Sequence, residues 1–166
     1  MRNFKVFLWI FIVFLIQTVI LARAHIFGAA ASAVMAYVVC VMILEDEFKN
    51  AVTISIICAA AMGALGGRSF AAVMLFYTYS SIIVFSLRKK PVYAGNFAKA
   101  LLWTFALSAV SEILFYAAEN MSVSTAMLLN NALPTAVINT VLAAVIYPIL
   151  KKTMYKEEKK KTLLIA

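Results

Sequence analysis

Between Leu129 and Lys152 the chain reads LNNALPTAVINTVLAAVIYPILKK, an aliphatic run broken by three asparagines, two threonines and two prolines. Asn139 stands near its middle, where an amide can hydrogen-bond to a neighbouring helix or to a ligand. The second polar group of note is Glu112, the one acid set well inside an apolar run. An ionisable side chain at such a place is a functional hypothesis by default, because burying its charge costs several kcal/mol. Counting back from Asn120 at about 1.5 Å per residue puts it roughly 12 Å below the membrane surface. Three roles fit that depth: a structural ion pair or hydrogen bond with an arginine such as Arg68 or Arg23, coupling to a proton or substrate, or exposure in a water-filled cleft.

No other constellation converges at recognisable spacing. A nucleophile with its base, a pair of acids or a metal-ligand cluster is what enzymatic work needs. Cys40 and Cys58 fall inside apolar runs, where a thiol behaves as a small hydrophobe, and His25 is the single histidine. Gly63, Gly66 and Gly67 lack the following lysine and the strand-loop-helix setting of a phosphate loop. The expectation is a chain with no catalytic residues, no cofactor and no metal.

The elements that must position Asn139 and Glu112 follow from hydropathy. The chain is 65% hydrophobic with a mean hydropathy of +0.97, too apolar for 166 residues to cover themselves with polar surface. An integral membrane protein is expected: one all-α domain over residues 1–166, with spans near 5–22, 26–44, 51–66, 70–87, 97–118 and 129–150 and a basic tail at 151–166. The first run ends at Ala22-Arg23-Ala24, the small-x-small form of a signal-peptidase site. It is longer than an ordinary signal core and another span follows almost at once, so a retained anchor is expected.

The formal charge of +8 belongs to residues between and after the spans. With no aromatic-interleaved basic surface, membrane topology explains it and nucleic acid does not. Six spans put both termini on one side. Arg2, Lys5, Lys49, Arg88, Lys89, Lys90, Lys99 and the lysines after Leu150 then fall together, leaving Arg23 and Arg68 opposite. That asymmetry predicts cytoplasmic termini; the acids Glu45-Asp46-Glu47 do not count in the rule.

Helix faces that meet inside a bilayer tend to be small or weakly polar. In the last span Ala132, Thr135, Ala136, Asn139, Thr140, Ala143, Ala144 and Tyr147 recur at helical spacing, while Leu133, Val137, Val141, Leu142, Val145, Ile146 and Ile149 take the remaining positions. Ser55, Ala59, Gly63 and Gly67, each four apart, form a comparable face on the third. Ala29, Ala33 and Tyr37 on the second span and Thr104, Ser108 and Ser111 on the fifth extend the pattern. All of these are expected to face the bundle interior or a partner.

The order of these features resembles the MreD family, small polytopic subunits of the bacterial rod-shape machinery, over nearly the whole chain. Leu15-Ile16-Gln17-Thr18 closes the first span as Leu-Gln-Thr or Leu-Gln-Ser does in the family, and Ile26-Phe27-Gly28 opens the second. Gly63-Ala64-Leu65-Gly66-Gly67-Arg68 resembles the family's Asp-x-x-Ser-Gly turn. Ala132-Leu133-Pro134-Thr135 and Ala143 to Lys152, with Tyr147-Pro148-Ile149-Leu150, resemble its last helix. The chain departs from the family at Ala31-Ser32, where Pro-Asp is frequent, and at Gly63, where an acid is frequent. Any role resting on those acids is not carried over.

The resemblance implies a fold similar to the six-helix substrate-binding subunits of energy-coupling-factor transporters. It also implies a non-catalytic scaffold in the bacterial cytoplasmic membrane. Such a scaffold would bind MreC and help couple MreB filaments to RodA and its class B penicillin-binding transpeptidase. Tyr147 and Pro148 would then stand at the cytoplasmic edge, as an anchor or as a fixed passage into the tail. The alternative is a substrate-binding component of an energy-coupling-factor vitamin transporter, with Ala29 and Ala33 facing the coupling subunit. Short outer loops with few polar or aromatic groups weigh against it.

Overall fold

The structure is a computed structural model that describes residues 2–21, 31–65, 69–87, 96–120 and 124–154. Every regular element among them is helical. Helix α1 (Arg2–Leu15) runs on as a π-helical turn, Ile16–Leu21; α2 is Ala33–Leu44, α3 Phe48–Leu65, α4 Phe70–Leu87 and α5 Asn96–Asn120. A short α6 (Thr125–Met127), a second π turn (Leu128–Ala132) and α7 (Leu133–Thr153) form one continuous rod. Among the described residues, Phe48–Leu65, Phe70–Leu87, Phe97–Ala118 and Thr125–Thr153 are long and apolar enough to cross a bilayer. Lys5–Leu21 and Ala33–Leu44 are shorter apolar helices. The molecule is thus a multi-pass helical membrane protein.

Helix α2 is the centre. All twelve of its residues are buried, in keeping with a helix that is apolar all round. Around it stand two close pairs, α3 with α4 and α5 with α7, each packed on α2. The pairs meet each other only thinly, where α4 faces α5, and α1 rests mainly on α2. Residues facing away from this assembly are large and apolar, including Phe7, Phe11, Leu75, Tyr79, Leu102, Leu114, Val137 and Val145. Lipid tails are the solvent such a surface suits.

The second span departs from its expected bounds of 26–44. Its helix begins at Ala33, and Ser32 is extended, with φ −128° and ψ 97°. Residues 26–30 lie outside the described ones. The Ser32 hydroxyl accepts a hydrogen bond from the Met35 amide at 3.2 Å, so a serine in a run of small residues stops the helix by capping it. Twelve residues rise only about 18 Å, well short of the roughly 30 Å of hydrocarbon. The central helix therefore ends inside the bundle.

Two other bounds shift for local reasons. Helix α3 starts at Phe48, so Glu45-Asp46-Glu47 is a three-residue turn directly after α2, with Glu45 buried and its neighbours exposed. Helix α7 continues past Pro148 to Thr153, with lysines 151 and 152 in its last turn, where positive charge suits the carbonyl end.

Candidate functional site

Ending a helix inside a membrane leaves backbone N–H groups without water, and each must find another acceptor. At the start of α2 three are accounted for. The Ser32 amide donates to Asn139 Oδ1 at 2.6 Å, the Ala33 amide to Gln17 Oε1 at 2.8 Å, and the Met35 amide to Ser32 Oγ. Gln17 also donates through Nε2 to the Ala31 carbonyl at 3.1 Å, bracketing the chain on both sides of the break. Asn139 donates through Nδ2 to Ser108 Oγ at 3.0 Å. One amide on α7 thus ties α2 to α5, and the π turn after α1 supplies the other.

The π geometry has a use here. A π turn carries one residue more than an α turn, which rotates the side chains that follow it relative to the α-helical register. Gln17 is the second residue of such a turn and reaches the α2 end from it. Thr18, beside it, only bonds back to the Phe14 carbonyl and stays exposed.

Beside this joint lies a pocket of about 210 Å³. Gln17, Ala31, Ser32 and Met35 form one wall, Met62, Val73 and Tyr77 of α3 and α4 a second, and Ser111, Glu112, Phe115 and Asn139 a third. Phe115, one of the lining residues, meets Phe76 of α4 edge to face at 5.7 Å. Glu112, half-buried and engaged within the chain, is therefore part of the lining of this pocket at the start of α2. Ser111 spends its proton on the Ser108 carbonyl at 2.8 Å.

The small faces read from spacing are found as follows. Thr135, Ala136, Asn139, Ala143 and Tyr147 are buried, while Leu133, Val137, Val141, Val145 and Ile149 are exposed. Ala33, Tyr37, Thr104, Ser108 and Ser111 are buried as well, and Ala29 lies outside the described residues. On α3, Ser55 and Ala59 are fully buried. The Ser55 hydroxyl lies in hydrogen-bonding contact with that of Ser81 on α4, and both reach the Tyr77 carbonyl. Gly63 meets Phe70 so closely that an added Cβ would stand 2.7 Å from the ring. Gly67, Arg68 and Arg23 lie outside the described residues.

Tyr147 lies on the packed face that its spacing predicts: it is 3% exposed, with its ring 5.5 Å from that of Phe97, inside the α5–α7 contact. Pro148 beside it is exposed. Sequence reasoning missed Gln17 and Ser32 as partners of one joint. The available signal was a capping residue in the middle of an apolar run, with a glutamine at the end of the preceding one. Thr135 and Tyr37 keep buried hydroxyls with no hydrogen-bond partner.

Among the described residues no three His, Cys, Asp or Glu side chains gather to hold a metal ion. Compared with family models, curated proteins and solved structures, the chain matches none.

Proposed function

We propose that the chain is a non-catalytic membrane scaffold of the bacterial elongation machinery. In this reading it is a six-span bundle of the cytoplasmic membrane with both termini in the cytoplasm. It binds MreC and links MreB filaments to RodA and its class B penicillin-binding transpeptidase. The observation that carries the reading is how the polar side chains are used. Asn139, Gln17, Ser55, Ser81 and Ser108 are spent on joining helices of the chain itself. What the bundle offers outward is a broad apolar surface at which other membrane helices can pack.

The order of sequence motifs shared with the MreD family and the concentration of lysine and arginine at one set of helix ends support the same reading. The cavity bears on the alternative, a vitamin-binding subunit of an energy-coupling-factor transporter. Its volume of about 210 Å³ falls below the roughly 300–1,000 Å³ usual for drug-sized ligands, so a vitamin is a poor fit. Purification from native membranes in mild detergent is the test. Recovery of MreC with cell-wall synthases is the expected result; recovery of an ATPase-coupled membrane partner together with a stabilising vitamin would replace the scaffold with the transporter.

A further inference from the structure

A bilayer tolerates a proline inside a helix when something else relieves the backbone it disrupts. A local π adjustment is one such device, and a nearby serine or threonine hydroxyl is another. The rod Thr125–Thr153 carries both at one point. Pro134 has no N–H, and in α geometry its ring presses on the Asn130 carbonyl four residues back. The π turn Leu128–Ala132 stands just before it and widens the backbone there. Thr135 follows it directly, 1% exposed, and its hydroxyl has no partner.

That idle hydroxyl is out of keeping with the other threonines of the helices. Thr18, Thr53, Thr104, Thr140 and Thr153 each donate to the carbonyl four residues back, at 2.7–2.8 Å. For Thr135 the corresponding acceptor is the Asn131 carbonyl, which lies inside the π turn. A buried hydroxyl without a partner costs free energy that an isosteric valine does not. Both means of accommodating Pro134 are therefore present, and the observed state uses one of them. If the turn tightens to α geometry, the rod kinks at the proline and the hydroxyl gains its acceptor.

We propose that Pro134 is the centre of a two-state hinge, in which the π turn and the bond from Thr135 Oγ1 to the Asn131 carbonyl replace each other. The part that moves is Thr125–Ala132, about 12 Å of helix whose π turn rests on α5. A kink of about 20° carries its far end by about 4 Å. Asn139, which holds the Ser32 amide, lies one turn past Thr135 and stays with the fixed part. The hinge stands apart from the scaffold reading, since it rests on the backbone of the rod and not on any partner.

Pulsed electron–electron distance measurements on the full chain in lipid nanodiscs test it, with Cys40 and Cys58 replaced by alanine. Nitroxides on Ala126→Cys of the moving part and Leu75→Cys of α4 both stand on exposed positions. Two distances separated by about 4 Å are expected. Thr135→Val keeps the shape of the side chain and should lower the share of the kinked state at least about fivefold, whereas Thr135→Ser keeps the hydroxyl and should hold that share within about twofold. A single distance in the parent chain would overturn the proposal. So would two distances whose ratio is unchanged in Thr135→Val, or a Thr135→Ser chain that behaves like Thr135→Val.

Discussion

Asn139 bonds to two helices at once, and the two bonds differ in what their loss exposes. The Ser108 hydroxyl, which accepts from Asn139, loses a donor but can rotate toward another, whereas the Ser32 amide is fixed by the backbone and left without its acceptor. Polar contacts between membrane helices average about 0.6 kcal/mol, but an unsatisfied buried donor costs about 1–3 kcal/mol. Asn139→Ala is therefore expected to destabilise by about 1–3 kcal/mol. Thr140→Ala, which loses only a bond to the Ala136 carbonyl of its own helix, should cost under about 0.5 kcal/mol. Equal losses for the two in reversible unfolding would show that the α2 end does not depend on Asn139. Gly63 presents a steric case. A methyl group there would meet the Phe70 ring at 2.7 Å and its Cα at 3.3 Å, and the ring is half exposed, so it can swing aside while the backbone cannot. Gly63→Ala should thus be mild, Gly63→Leu should cost about 1–3 kcal/mol, and Phe70→Ala should recover part of the Leu penalty. No recovery in the double variant would mean that the conflict lies elsewhere than the α3–α4 contact.

At the scale of elements, α7 and α2 show what a sequence reveals and what it hides. The buried face of α7 was legible because Thr135, Asn139, Ala143 and Tyr147 repeat at helical spacing between large aliphatics, and packing against neighbours preserves that local period. The break in α2 was not. Ala29 to Ala36 offers a helix no stronger local obstacle than Ser32, and the acceptor that makes stopping tolerable stands 107 residues away. Spacing placed Tyr147 on the packed face, but that its ring meets Phe97 of α5 could be seen only in the fold. The same tertiary dependence makes α1 separable from the rest. It rests mainly on α2, and Gln17 is its polar link to the broken end. Gln17→Leu is expected to leave α2 through α7 folded while amide exchange at Ala33 rises by at least about tenfold, the factor that corresponds to about 1.4 kcal/mol of lost protection. Unchanged exchange at Ala33 would mean that α1 does not hold the end of α2.

For the whole molecule the question is how the bundle sits in the membrane, because both the scaffold reading and the accessibility of the cavity depend on it. Helix α4 has 18 residues and rises about 27 Å, enough to place its two ends on opposite surfaces. The charges flanking it differ accordingly: Arg68 stands alone before it, while Arg88, Lys89 and Lys90 follow together. Translocating such a cluster is unfavourable, so the end after Leu87 should remain in the cytoplasm, and the lysine-rich tail after α7 with it. This orientation gives the Gln17 end of α1, the Ser32 end of α2 and the Thr125 end of the last rod to the outer half of the membrane, where the cavity then lies. The prediction is a labelling pattern with a membrane-impermeant thiol reagent in cells carrying Cys40→Ala and Cys58→Ala. Arg68→Cys and Asn120→Cys should react in intact cells, and Lys90→Cys and Lys159→Cys only after the membrane is opened. Reaction of Arg68→Cys and Lys90→Cys from the same side would mean that α4 does not cross, which removes the six-span topology and the resemblance built on it. A fully inverted pattern would keep six spans but turn the cavity toward the cytoplasm, and would place the basic tail where it could not meet cytoplasmic filaments.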